Sequence, residues 1–132
     1  MTEQMEVAFR DGEAYQITVR GHTVVVDQPE TADGGDTAPT PTELFVASLA
    51  SCVAFYAGRY LTRHNCDRTG LAVSASFEFA ADPPSRVGQI RMSVKVPTDL
   101  PESRWPALRA VIGHCTVHNT LNDPPPVSIE LT

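Results

Sequence analysis

The chain has 132 residues, 42% of them apolar and 20% charged, and ten Lys and Arg against sixteen Asp and Glu leave a net charge of −6. That length predicts one domain over residues 1–132, and the composition is too apolar for a disordered chain. The thinly spread bases form no run able to neutralise a row of phosphates, so no nucleic-acid partner is expected. With a polar N-terminus and no apolar stretch of about 18 residues, the reading is a cytoplasmic protein without a membrane partner.

Short β-rich runs open the chain at Val7–Phe9, Tyr15–Val19 and Thr23–Val26, punctuated by Asp11-Gly12 and Gly21. They predict an antiparallel meander. Residues 28–41 are rich in Gly, Asp, Thr and Pro without apolar period, which predicts a surface loop. From Glu43 to Tyr60 the residues are small or apolar on nearly every side, so the spacing predicts a long helix buried all round. Thr40 or Thr42 can cap it, and Pro41 suits its first turn.

Alternation resumes over Leu71–Phe79 and Val87–Val96 around Asp82-Pro83-Pro84-Ser85, the pattern of a hairpin. A second helix is expected from about Ser103, with Leu108, Val111, Ile112 and Cys115 on one face. After Asp123-Pro124-Pro125-Pro126 a last short strand is expected at Val127–Leu131. The order βββ, long helix, ββ, helix, β is α+β rather than alternating βαβ.

Three cysteines without close pairs make no secreted disulfide framework, so reduced cytosolic thiols are the default. Cys52 alone reads most simply as a small buried hydrophobe. Cys66 lies fourteen residues further on, about 21 Å along an unbroken helix, too far to bridge Cys52. Cys115 sits in His114-Cys115-Thr116-Val117-His118, and sequence spacing sets no limit on its approach to Cys52. His114, Cys115 and His118 could share a face as metal donors, but no CxxC, HExxH or carboxylate cluster completes a four-ligand set, so no metal is expected. Nor is there a G-x-S-x-G elbow, or a Gly-rich loop with nucleotide-binding spacing.

Two segments carry a resemblance. Gly21-His22-Thr23-Val24-Val25-Val26-Asp27, Gly34-Gly35-Asp36 and the run from Pro39 through Thr42-Glu43 to Ser51-Cys52 are similar to the first half of the OsmC/Ohr pattern. Cys115-Thr116-Val117-His118-Asn119-Thr120-Leu121 is similar to the second. The cysteine separation, 115 − 52 = 63 positions, also resembles that family, and the OsmC-like branch more than Ohr itself.

The resemblance implies antiparallel sheets wrapped around two central helices in an intertwined homodimer with active sites at the subunit interface. It implies that Cys52 is the peroxidatic thiol and Cys115 the resolving one, with organic hydroperoxide as substrate and no cofactor. An external dithiol would recycle the disulfide, supplied in Ohr relatives by lipoylated proteins. A supporting Arg–Glu network is implied as well. Arg10 stands where Ohr proteins have their Arg, with Arg20 as the alternative. The Ohr-type Glu position holds Thr42, while Glu43 matches the OsmC-like branch and is placed to cap the helix or meet the partner subunit. That departure keeps a second function open, an OsmC-like dimer that binds an apolar ligand or senses redox state.

Overall fold

The first three strands form an antiparallel meander, β1 (Glu6–Asp11), β2 (Ala14–Val19) and β3 (His22–Val26), in the order β1-β2-β3. This is a computed structural model, and it describes residues 2–132. Gly12, at φ 52°, sits in the first turn, and Arg20 and Gly21, at φ 48° and 79°, form the second. Two-residue hairpins favour such left-handed pairs because their twist matches that of the strands. In the ladder Val7 faces Ile17, and Ile17 faces Val24; Phe9 faces Tyr15, and Tyr15 faces Val26. These residues share one side of the sheet by the period-two rule.

The segment after β3 is fixed by one carboxylate. Asp27, 2% exposed, accepts from the Gln28 N–H at 2.7 Å, the Thr37 N–H at 3.0 Å and the Thr37 hydroxyl at 2.6 Å. The Asp27 N–H in turn donates to the Pro39 carbonyl at 3.0 Å, closing the loop at its base. A Cβ at Gly34 would run into the Gln28 carbonyl, so that close approach needs glycine. The expected surface loop is therefore an ordered one, with a short 3-10 turn at Glu30–Ala32.

Helix α1 runs from Pro41 to Arg63. Thr40 caps it reciprocally: the Thr40 hydroxyl accepts from the Glu43 N–H at 3.1 Å, and the Glu43 carboxylate accepts from the Thr40 N–H at 2.8 Å. At the far end Asn65 takes a left-handed φ of 58°, and the Cys66 N–H returns to the Leu61 carbonyl at 2.8 Å, the bond of a Schellman ending. α1 is not buried all round within this chain. It buries Val46, Leu49, Val53, Ala57, Gly58, Tyr60 and Leu61, while Phe55 is 52% exposed. By length and composition α1 would suffice to span a membrane, contrary to expectation. A buried core helix passes the same test, and α1 residues build both clusters of the core.

The chain divides into two compact units, Met1–Phe45 and Val46–Thr132. In the second, β4 (Ala72–Phe79) and β5 (Val87–Lys95) form the expected hairpin, with Val73 facing Val94, Ala75 facing Met92 and Phe77 facing Ile90. Helix α2 (Trp105–Ile112) follows a 3-10 turn at Glu102–Arg104. It has no side-chain cap, so Ser103 does not play that part.

Two expectations fail here. Cys115 is not on α2: the chain turns extended at Cys115, ψ 155°, and starts a third helix, α3 (Thr116–Asn122). Residues 127–131 form no strand, because Pro124, Pro125 and Pro126 lack the N–H groups that lead into a ladder and no neighbouring strand pairs with the segment. The mixed α+β architecture with antiparallel sheets is as expected.

Candidate functional site

Cys52 and Cys115 meet in one apolar cluster. Leu49, Val53 and Cys115 form its buried centre, and Cys52, Tyr56, Val73, Ile90, Met92, Val94, Ile112 and Val117 pack against it. The spacing explains the α1 side: Leu49, Cys52, Val53 and Tyr56 lie at i, i+3, i+4 and i+7, one helical face. The β4–β5 hairpin supplies the floor through Val73, Ile90, Met92 and Val94. Cys115 reaches the cluster because it stands at the α2–α3 junction.

The two sulfurs differ in access. Cys115 is completely buried, Cys52 is half-buried, and both are free thiols. Burial pushes the Cys115 thiol above its ordinary range, and a hydrogen bond to Cys52 together with the charge of an ionised Cys52 pushes the same way. The backbone N–H of His118, which donates to the Cys115 sulfur at 3.4 Å, opposes that rise. Cys115 is therefore held as a thiol beside the more accessible Cys52.

Tyr56 locks the junction. Its hydroxyl is 2.9 Å from the Thr116 hydroxyl, tying α1 to the residue next to Cys115. Tyr56 was not among the candidates that the sequence suggested, although its place one turn beyond Cys52 was the available signal. Arg10 is exposed at a bulge of β1, between Phe9 and Asp11, and Arg20 is exposed in the β2–β3 turn. Glu43 is engaged with Thr40 at the start of α1. Cys66 bonds weakly to the His64 and Asp99 carbonyls, away from the thiol pair. His114 is exposed and contributes its carbonyl to Asn119, while His118 contributes its backbone to Cys115. Among the described residues no three His, Cys, Asp or Glu gather as a metal-binding group.

Solved structures share this fold. A protein of Psychrobacter arcticus 273-4, named for osmotic stress induction and detoxification response, superposes with a TM-score of 0.81 at 22% identity, over 91% of this chain and 88% of that one. The organic hydroperoxide resistance protein OsmC of Legionella pneumophila gives 0.69 at 17% identity, over 92% and 89%. The organic hydroperoxide resistance protein OhrB of Bacillus subtilis gives 0.65 at 19%, over 94% and 93%. No curated protein matches the chain in sequence. Residues 34–130 match the family of OsmC-like proteins, a stretch that holds the Asp36-to-Cys52 run and the Cys115 segment. With that match over most of its length and the same fold around its two thiols, the chain belongs to the OsmC-like protein family.

Proposed function

We propose that the protein is a thiol peroxidase that reduces organic hydroperoxides through a Cys52–Cys115 disulfide. The observation that carries this reading is the thiol pair itself, two reduced cysteines packed in one apolar cluster with unequal access to solvent. Organic hydroperoxide resistance is named for two of the structural relatives, which supports a redox role in stress.

In the proposed cycle the accessible Cys52 thiolate attacks the distal peroxide oxygen and breaks the O–O bond. The alkoxide leaves and takes a proton as the alcohol, and Cys52 becomes a sulfenic acid. Neutral sulfenic acid no longer carries the charge that opposes ionisation of Cys115. The Cys115 sulfur then attacks Cys52, forming the disulfide and releasing water. An external dithiol, such as a lipoylated protein, reduces the disulfide by exchange and is itself oxidised. Peroxide and dithiol are thus converted to alcohol, water and a disulfide, without a metal or organic cofactor.

Apolar surroundings favour an alkyl hydroperoxide, since each buried methylene contributes about 0.8 kcal/mol. A cavity of about 310 Å³ adjoins the thiol cluster, sharing Met92, Val94 and Ile112 with it. A homodimer belongs to the same proposal, with the second copy covering apolar residues that one chain leaves open: Val7 and Phe9 are 57% and 65% exposed. Arg10, or else Arg20, is the proposed cation for the Cys52 thiolate. A reducing cytoplasm would suit the dithiol. The engagement of Glu43 by Thr40 favours a second reading, an OsmC-like dimer that binds an apolar ligand or oxidises once as a sensor.

Anaerobic stopped-flow oxidation by cumene hydroperoxide and by hydrogen peroxide, followed by a thiol count, separates the two. Rapid loss of two thiols per chain is expected. Cys52→Ser should abolish it, and Cys115→Ser should arrest it at sulfenic acid. Oxidation no faster than that of a free thiol, and indifferent to Cys52, would leave the ligand-binding reading in front.

A further inference from the structure

A second constellation on α1 is not used by the peroxide chemistry. Phe55, Tyr56, Arg59, Tyr60 and Arg63 line a cavity of about 250 Å³ together with Val111 of α2. Arg59 and Arg63 stand one helical turn apart and are exposed. Arg59 lies 5.5 Å from the centroid of the Phe55 ring, yet among the described residues neither guanidinium meets a carboxylate. In a chain where acids outnumber bases sixteen to ten, two neighbouring cations without an acidic partner are an unspent attraction for an anion.

Tyr60 is 8% exposed, and its hydroxyl is buried with no hydrogen-bond partner. A buried hydroxyl is normally satisfied, because desolvating it without a partner is unfavourable. The rest of the lining is apolar or aromatic, through Phe55, Tyr56 and Val111. Tyr56 also packs against the cluster that holds Cys52 and Cys115, so the cavity and the thiol core share a wall.

We propose that this cavity binds the carboxylate of an apolar monocarboxylate. Arg59 and Arg63 hold the anion, and the tail runs past Phe55 and Tyr56 toward Cys52. A guanidinium fork suits a carboxylate better than an ammonium does, and the aromatic rings suit the tail. Arg59 lies seven residues beyond Cys52, which sets the carboxylate about 10 Å from the thiol along the helix axis. Binding needs no thiol chemistry, so it stands or falls apart from the peroxidase reading.

The test is titration calorimetry of the reduced protein with decanoate, and with decanol as the uncharged control. Wild type and Cys52→Ser are expected to bind decanoate alike, and decanol at least tenfold more weakly. The double variant Arg59→Gln/Arg63→Gln should lose at least tenfold in affinity. No binding of decanoate to wild type, equal binding of decanol, or unchanged affinity in the double variant would overturn the proposal. If the double variant does not fold, salt decides: affinity should fall steeply between low and high ionic strength, and salt-independent binding overturns the site.

Discussion

Asp27 and Cys115 are both sealed from solvent, and both can ionise, yet their surroundings drive them in opposite directions. Three donors converge on Asp27, led by the Thr37 hydroxyl, and hold its carboxyl down at about 2. Around Cys115 the neighbours are mostly hydrocarbon, and burial drives its thiol up. Burial alone therefore does not decide whether an acid is charged; the number of donors aimed at it does. The first arrangement fixes a loop. The second keeps a nucleophile in reserve.

The largest effect is expected at Asp27. Asp27→Asn replaces an acceptor with an amide whose NH2 faces donors, so the denaturation midpoint at pH 7 should fall further than in Cys115→Ala or Thr40→Ala. The wild type should also carry an acid limb. The folded carboxyl is depressed below its ordinary value of 3.8, so its stabilisation is present above about pH 4 and is lost as pH falls through about 2. Urea melts between pH 5 and pH 2 should show that limb in wild type and a shallower one in the variant; equal limbs would refute the assignment to Asp27.

The mirror image belongs to Cys115. A raised thiol contributes stability that is complete below the unfolded value of about 9 and declines as pH rises above it. Under reducing conditions Cys115→Ala should flatten that alkaline decline, while costing about 1 kcal/mol at pH 7 for one buried heavy atom. If the decline persists in the variant, another group causes it. A smaller effect is expected at the far foot of the loop. Thr40→Ala removes one half of the capping box and should cost about 0.5–1 kcal/mol by urea melt, leaving the acid limb untouched.

Much of the fold was legible because its signals are local. Asp11-Gly12, Thr40-Pro41 with Glu43, and the alternation on either side of residues 82–85 each specify a turn, a cap or a strand within a few residues. The failures needed information from further away. Nothing in Gly113-His114-Cys115 says that one helix ends and another begins, and the four-residue spacing of His114 and His118 suggests continuity. Val127, Ile129 and Leu131 have a strand's pattern, but a strand also needs a neighbour, and these three side chains are 81%, 87% and 97% exposed. The thiol pair was legible only through family resemblance, since residues 63 positions apart carry no local sign of contact.

That separation has a bearing on the denatured chain. A covalent link between Cys52 and Cys115 would close a loop of about 60 residues in the unfolded state, removing chain entropy equivalent to about 4 kcal/mol in the ideal-chain treatment. The same bond asks little reorganisation of the native state, because the two cysteines already pack in one cluster. An oxidised molecule would therefore melt well above a reduced one, and resistance to unfolding would serve as a record of whether the protein had met an oxidant.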